Sequence, residues 1–271
     1  MQDRTYASTR YTPCEIEHRY GPHVHLLDDP LSLTLLAHLS SPGPRLPEVL
    51  DLLRKLYHTL AQVVIAAEFP RERIETQTRM IKSNPRAVWS GLGVRRDQKV
   101  VAAAVARAGT VPSQICFELL NEVLDPELVR QDHLFVSRRV DATGQVVGAG
   151  FADAKIGGDV DGRILLVPDP MGATGGSMCE VVQHYEERVA GTLSKVVAMN
   201  LIVTPEYIRR LTTAHPEVLI YAFRLDRGLS DEDVLASVPG TYPDRERGLD
   251  EHQYIIPGAG GLGEVLNNSW V

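Results

Sequence analysis

Two periods of apolar positions alternate along this chain. Leu46–Glu68 sets Val49, Leu53, Leu56, Leu60, Val63 and Val64 at helical spacing, which predicts an amphipathic helix. Asp29-Pro30 reads as an N-cap with proline at the first helical position, opening a short helix to Leu39. Further helices are predicted at Ser113–Leu124, from Met178 onward, and from Pro205 to about Ala214. Short branched runs at Lys99–Ala106, Ile164–Val167, Val196–Val203 and Val218–Leu225 read as strands. The anchor run Ile164–Val167 has the continuous apolar character of a strand buried on both faces. Glu72–Ile81 alternates like an exposed strand, His133–Ser137 adds another, and Gly144–Gly162 reads as a long hairpin or flap. Strand and helix in alternation predict an open, mostly parallel α/β sheet with flanking helices.

The ends and one interior stretch break this rhythm. Residues 1–22 are polar and aperiodic and predict an arm that packs on a neighbour or frays. One domain is expected over 23–271, with a flap at 144–162, a charged surface insertion at 230–249 and a glycine-rich tail loop at 254–264.

Composition narrows the function classes. The 271 residues are 44% hydrophobic, enough for one large core, and no apolar run reaches membrane-spanning length. The N-terminus MQDRTYASTRYTP lacks a signal-peptide apolar stretch, and the three cysteines have no metal-ligand spacing, so a cytoplasmic, reducing location is expected. A net charge of −7 without a Lys/Arg stripe argues against nucleic acid as partner. His23 and His25 near Asp28 and Asp29 match no known metal spacing, and no metal site is expected.

The chemistry gathers at Ile164–Ser177, ILLVPDPMGATGGS. A strand runs into Asp169, then a small-residue turn, then a helix. Such a turn exposes backbone N–H groups at a helix N-terminus and favours bound phosphate, with Thr174 and Ser177 adding hydroxyls. It is neither a Walker loop, lacking the lysine, nor a GxGxxG fingerprint. Ligands in open α/β sheets sit beyond the carboxyl ends of the strands, where Arg107 and Asp169 both fall.

The run Asp169-Pro170-Met171-Gly172-Ala173-Thr174-Gly175-Gly176-Ser177 closely resembles the phosphoribosyl-pyrophosphate (PRPP) loop of uracil phosphoribosyltransferases, where Gly172 is usually Leu. Other motifs keep the family's order: VARAG at Val105–Gly109 is similar to its LRAG loop, SRRVDAT to its YRNEET, and YIIPGAG to its YIIPGLG. The resemblance implies a type I phosphoribosyltransferase-like fold with a hood hairpin. It assigns PRPP binding to Asp169–Ser177, pyrophosphate to Arg107 and Arg139, and the base to Tyr254, Ile255, Gly260, Gly261 and Leu262. Asp169, Arg107 and Arg139 are the catalytic candidates. It further implies Mg²⁺ carried by PRPP, a pyrimidine-like base as second substrate, and a homodimer or higher homo-oligomer. The tail departs from the family's GLGDAGD: Gly261 stands at the first Asp and Leu262 at the Ala, and LNNSWV replaces the FGT ending. Three functions are therefore carried forward: phosphoribosyl transfer from PRPP to uracil giving UMP and pyrophosphate, the same transfer to another heterocycle, and a non-catalytic PRPP- or nucleotide-binding regulator.

Overall fold

The structure, a computed structural model, describes residues 5–8, 10–140 and 146–269, with backbone alone at 137–140 and 146–152. Among the described residues the strands are, in chain order, β1 (Val24–Leu26), β2 (Arg71–Gln77), β3 (Val88–Val94), β4 (Val100–Ala106), β5 (Val129–Val140), β6 (Val146–Lys155), β7 (Ile164–Pro168), β8 (Met171–Gly172), β9 (Lys195–Val203) and β10 (Leu219–Leu225). The α-helices among the described residues are α1 (Pro30–Ser40), α2 (Glu48–Glu68), α3 (Thr110–Val123), α4 (Gly176–Arg188), α5 (Pro205–Ala214), α6 (Glu232–Leu235) and α7 (Leu262–Asn267).

The main sheet runs β1-β10-β9-β7-β4-β5-β6, with β8 beside β9, and β2 and β3 form a separate antiparallel ribbon. Every pairing in the main sheet is parallel except β5 with β6. The buried strands alternate between two cores. Val100 and Ala102 of β4 and Leu166 of β7 face α2 and α3. Val101, Ala103 and Val105, with Leu165 and Val167, face α4 and α5. A strand with both faces covered has no polar side to display, hence the continuous apolar runs. In α2, Leu53, Leu56 and Leu60 are fully buried, each stabilising the fold by about 1.5–3 kcal/mol. Asp29 caps α1, its Oδ1 accepting from the N–H groups of Leu31 (3.0 Å) and Ser32 (3.2 Å).

Several expectations are revised. The alternating stretch at 72–81 is strand only to Gln77; Thr78 then caps a 3-10 turn at Arg79–Lys82. The described part of the N-terminal arm packs on its own chain rather than fraying. Glu15 bridges Leu27, Ile16 donates to the Leu26 carbonyl at 3.0 Å, and Asp28 to that of Cys14 at 2.8 Å. β1 is the edge of the sheet, and the arm covers it. The insertion is closed at its base, where Leu229 donates to the Arg247 carbonyl at 3.0 Å. Buried Glu246 holds it inward, accepting from Arg227 at 3.0 Å and from the Tyr20 hydroxyl. Within the 144–162 flap, residues 144 and 145 and the side chains of 146–152 lie outside the described residues; the rest continues β6 into a loop ending at Gly162.

Candidate functional site

The order of the strands reverses between the parallel neighbours β4 and β7. From β4 the next strand, β5, lies to one side; from β7 the succeeding strands, β9 and β10, lie to the other. The carboxyl ends of β4 and β7 thus leave a crevice, where open α/β sheets place their ligands. A cavity of about 880 Å³ opens there.

Arg107 follows β4 directly, after a cis Ala106–Arg107 peptide. Its guanidinium is exposed, and Nη1 donates to Ser269 Oγ at 3.0 Å. The loop then passes against the end of β7: a Cβ built on Gly109 would stand 2.7 Å from the Pro168 carbonyl oxygen, so only glycine fits. On the β7 side Asp169 is fixed through its backbone. Its N–H donates to Met199 O at 3.0 Å, and its carbonyl accepts from Asn200 Nδ2 at 2.7 Å. Burial pushes the Asp169 carboxyl up to about 6, with the Met171 N–H acting the other way.

The loop then enters α4 through Gly175, whose φ of 76° suits glycine. Thr174 Oγ1 accepts from Gly176 N at 3.4 Å. α5 holds the loop from behind: Thr204 Oγ1 donates to Ala173 O at 2.6 Å, and Thr204 N to Gly172 O at 3.0 Å. The Tyr207 ring fills the space above Gly172, where a built Cβ would meet its Cδ2 and Cε2 at 3.1 Å.

The opposite wall is the tail. Arg224 and buried Asp226 form a bidentate pair at 2.7 and 2.8 Å, and together they hold Gly258. Asp226 Oδ2 accepts its N–H at 2.7 Å, and Arg224 Nη2 donates to its carbonyl at 2.9 Å. α7 follows, with Gly263 against Ala108 of the Arg107 loop: a Cβ built on Gly263 would lie 3.5 Å from the Ala108 Cβ.

Arg107, Asp169, Met171 and Ala173–Ser177 all border this one cavity, and so do Tyr254, Ile255, Gly260, Gly261 and Leu262. Ile255 and Leu262 also belong to the core, at 7% and 2% exposure. Pro170 and Gly172 do not border it. Their carbonyls are turned to the chain at β9, accepting from Leu201 and Ile202, and from Thr204. Arg139 lies in β5 opposite Gly148, and its side chain is outside the described residues. Tyr207 and Arg210 also border the cavity and escape the sequence reading, while Glu264, which ends the altered tail run, borders it too. Tyr207 and Arg210 come from a separate helix, and no local motif marks them.

A mostly parallel open sheet with helices on both faces and a phosphate-type loop at its switch point defines the type I phosphoribosyltransferase class of fold. A family profile described as uracil phosphoribosyltransferase matches residues 49–246, and the chain belongs to that family. The chain is 38% identical over 112 residues to a uracil phosphoribosyltransferase of Thermoanaerobacter sp. (strain X514), a match spanning 41% of this chain and only 42% of that protein. It is 26% identical to one of Caldanaerobacter subterraneus subsp. tengcongensis, over 90% of this chain and 97% of that one. Among solved structures, the AQ2163 protein of Aquifex aeolicus shares the fold with a TM-score of 0.66 and 19% identity, over 90% of this chain and 97% of that one. Among the described residues no helix is long and apolar enough to cross a membrane.

Proposed function

We propose that the chain transfers the 5-phosphoribosyl group of PRPP to uracil, giving UMP and pyrophosphate. The observation that carries the reading is convergence: a glycine-rich loop on a helix N-terminus with its carboxylate, an exposed arginine and the tail loop meet in one cavity from three distant stretches of chain. In this scheme the Ala173–Ser177 backbone takes the 5′-phosphate, Asp169 accepts from ribose hydroxyls, and Arg107, with Arg139, holds the diphosphate. The tail around Ile255 and Gly260 takes the base. Breaking the bond from the ribose to the diphosphate generates a ribosyl cation. The protein therefore has to align both partners and stabilise charge, with no nucleophile of its own.

Asp169 and Glu264 are the cavity's carboxylates, and no cluster of three metal-ligating side chains occurs among the described residues. That donor set fits Mg²⁺ held mainly by diphosphate oxygens, where it supplies charge neutralisation to the leaving group.

Transfer to another heterocycle is the second reading, favoured by Leu262, whose bulk borders the cavity. Incubation of the pure protein with PRPP, Mg²⁺ and a panel of bases, followed by chromatography, tests both. UMP with stoichiometric pyrophosphate is the expected product. A different nucleotide moves the assignment to the second reading, and PRPP binding without turnover on any base overturns transfer in favour of a regulatory binder.

A further inference from the structure

The phosphate end of the cavity contains no cation within its own loop: Asp169–Ser177 has neither lysine nor arginine. A phosphate monoester carries close to two negative charges at neutral pH, its second pKa being about 6. Backbone N–H groups and a helix end meet part of that charge.

α5 delivers a cation to this place. Its cap, Thr204, is tied to Ala173 and Gly172 of the loop, so the first turns of the helix lie alongside the glycines. At Arg210 the helix is still in touch. A Cβ built on Gly175 would meet Arg210 Cβ at 3.4 Å, and one built on Gly176 would meet Arg210 Nη1 at 3.3 Å. Arg210 borders the cavity together with Thr174–Ser177 and is exposed. The neighbour that feels its charge is the Cys179 thiol. Burial raises that thiol's pKa and the guanidinium opposes the rise. Among the described residues no carboxylate lies within ion-pair distance of Arg210. A guanidinium offers a planar fork of donors matched to phosphate oxygens and stays charged at any working pH.

We propose that Arg210 is a phosphate-contacting residue, the cation that completes the glycine loop's hold on the 5′-phosphate of the sugar substrate. The inference rests on the PRPP reading of the cavity but concerns its phosphate end alone. Arg210 then sets the preference for phosphorylated over free sugar, a selection made by charge from outside the loop.

The test is calorimetric titration of the full chain with ribose 5-phosphate and, separately, PRPP with Mg²⁺, for wild type, Arg210→Gln and Arg210→Lys. The expected result is that Arg210→Gln weakens ribose 5-phosphate binding about tenfold or more, the scale of one charge-assisted hydrogen bond. Arg210→Lys recovers part of the loss, and thermal melting stays unchanged because the side chain is exposed. Unchanged ribose 5-phosphate affinity in Arg210→Gln overturns the proposal, as does a loss accompanied by an equal fall in thermal stability in both variants. Should wild type bind ribose 5-phosphate in an Arg210-dependent way yet turn over no PRPP, the phosphate contact stands and the transfer reading fails. Should wild type bind neither ligand, both fall.

Discussion

The carboxylate of Glu264 lies over the backbone of Gly261: a Cβ built at residue 261 would stand 2.6 Å from Oε2 and 2.9 Å from Cδ. The tail position at which the family resemblance calls for an aspartate thus has no side chain, and an acidic group folds back over it from the first turn of α7. On this account the site keeps its acidic function and changes the residue that supplies it. Gly261→Asp alone places two carboxylates in one small volume, and like charges at that range disfavour both being ionised. PRPP turnover should therefore fall in Gly261→Asp and recover in Gly261→Asp/Glu264→Ala. Steady-state kinetics on both variants checks this; higher turnover in the single variant than in the double one would sink the account of Glu264.

A second compensating pair lies behind the phosphate loop. Gly172 stands where the family usually has leucine, and the Tyr207 ring occupies the room that leucine would need. Gly172→Leu drives a side chain into that ring and into Val203 Cγ1, 3.0 Å from the built Cβ. Overpacking of this kind costs about 1–3 kcal/mol, read as a lowered Tm. Tyr207→Ala empties the space at about 3–5 kcal/mol, and the double variant should regain part of both losses. Additive losses in the double variant would show that the two positions do not share space.

Tyr207 also separates ring from hydroxyl. Among the described residues, its OH and Asn200 Oδ1 are both buried without a hydrogen-bond partner. Removing an unsatisfied buried hydroxyl relieves a desolvation cost of about 1–3 kcal/mol. Tyr207→Phe is expected to match or exceed wild type in urea midpoint, and a clear loss of stability would reveal a partner for that hydroxyl.

Asp169 gives the pH dependence. Its folded pKa, about 6, lies above the ordinary carboxylate range, so the folded state keeps a proton that the unfolded chain has lost. Stability from this group is therefore present below the unfolded value near 4 and declines as pH rises to about 6. Ligand binding runs the other way, because ribose hydroxyls donate to the ionised carboxylate. PRPP affinity should rise through pH 6 with release of a proton. The substrate's own phosphate titrates in the same window, so the comparison is with Asp169→Asn, in which the Asp169 component disappears. Identical pH profiles for the two proteins would remove Asp169 from the binding step.

The Arg224–Asp226 pair makes a stability and specificity prediction. Asp226 is 2% exposed and shares its oxygens between the guanidinium and Gly258 N–H. Asp226→Ala leaves a desolvated arginine and an unpaired amide, a loss of about 3–5 kcal/mol. Asp226→Asn keeps the shape and loses less. In that variant KM for the base should rise more than KM for PRPP, since the pair holds only the tail wall. Equal changes in both would make the pair a general structural support.

What could be read from the chain followed from how local each signal is. β4, β7 and β9 are buried on both faces, so their own residues announce them, and the phosphate loop is one contiguous stretch. β3, VWSGLGV, carries glycines within it and owes its existence to pairing with β2 across the 3-10 turn, a partner its own pattern does not encode. β1 is three residues long and forms because β10 offers it a parallel register. Arg107, Asp169 and the tail could be assigned because each sits in a motif. Arg210 could not, because it reaches the loop only through Thr204 tying α5 beside it; Glu264 ends the altered tail run, but its place over Gly261 depends on the room that glycine leaves.

The central claim is that one cavity grips a sugar phosphate at its glycine loop and a diphosphate at Arg107. A crystal structure of the protein grown with PRPP and Mg²⁺ tests it most directly. The account predicts density for the 5′-phosphate against the backbone of residues 173–177 beside Arg210, with the diphosphate at Arg107 freed from Ser269. PRPP bound elsewhere, or a cavity empty at saturating PRPP, would contradict it.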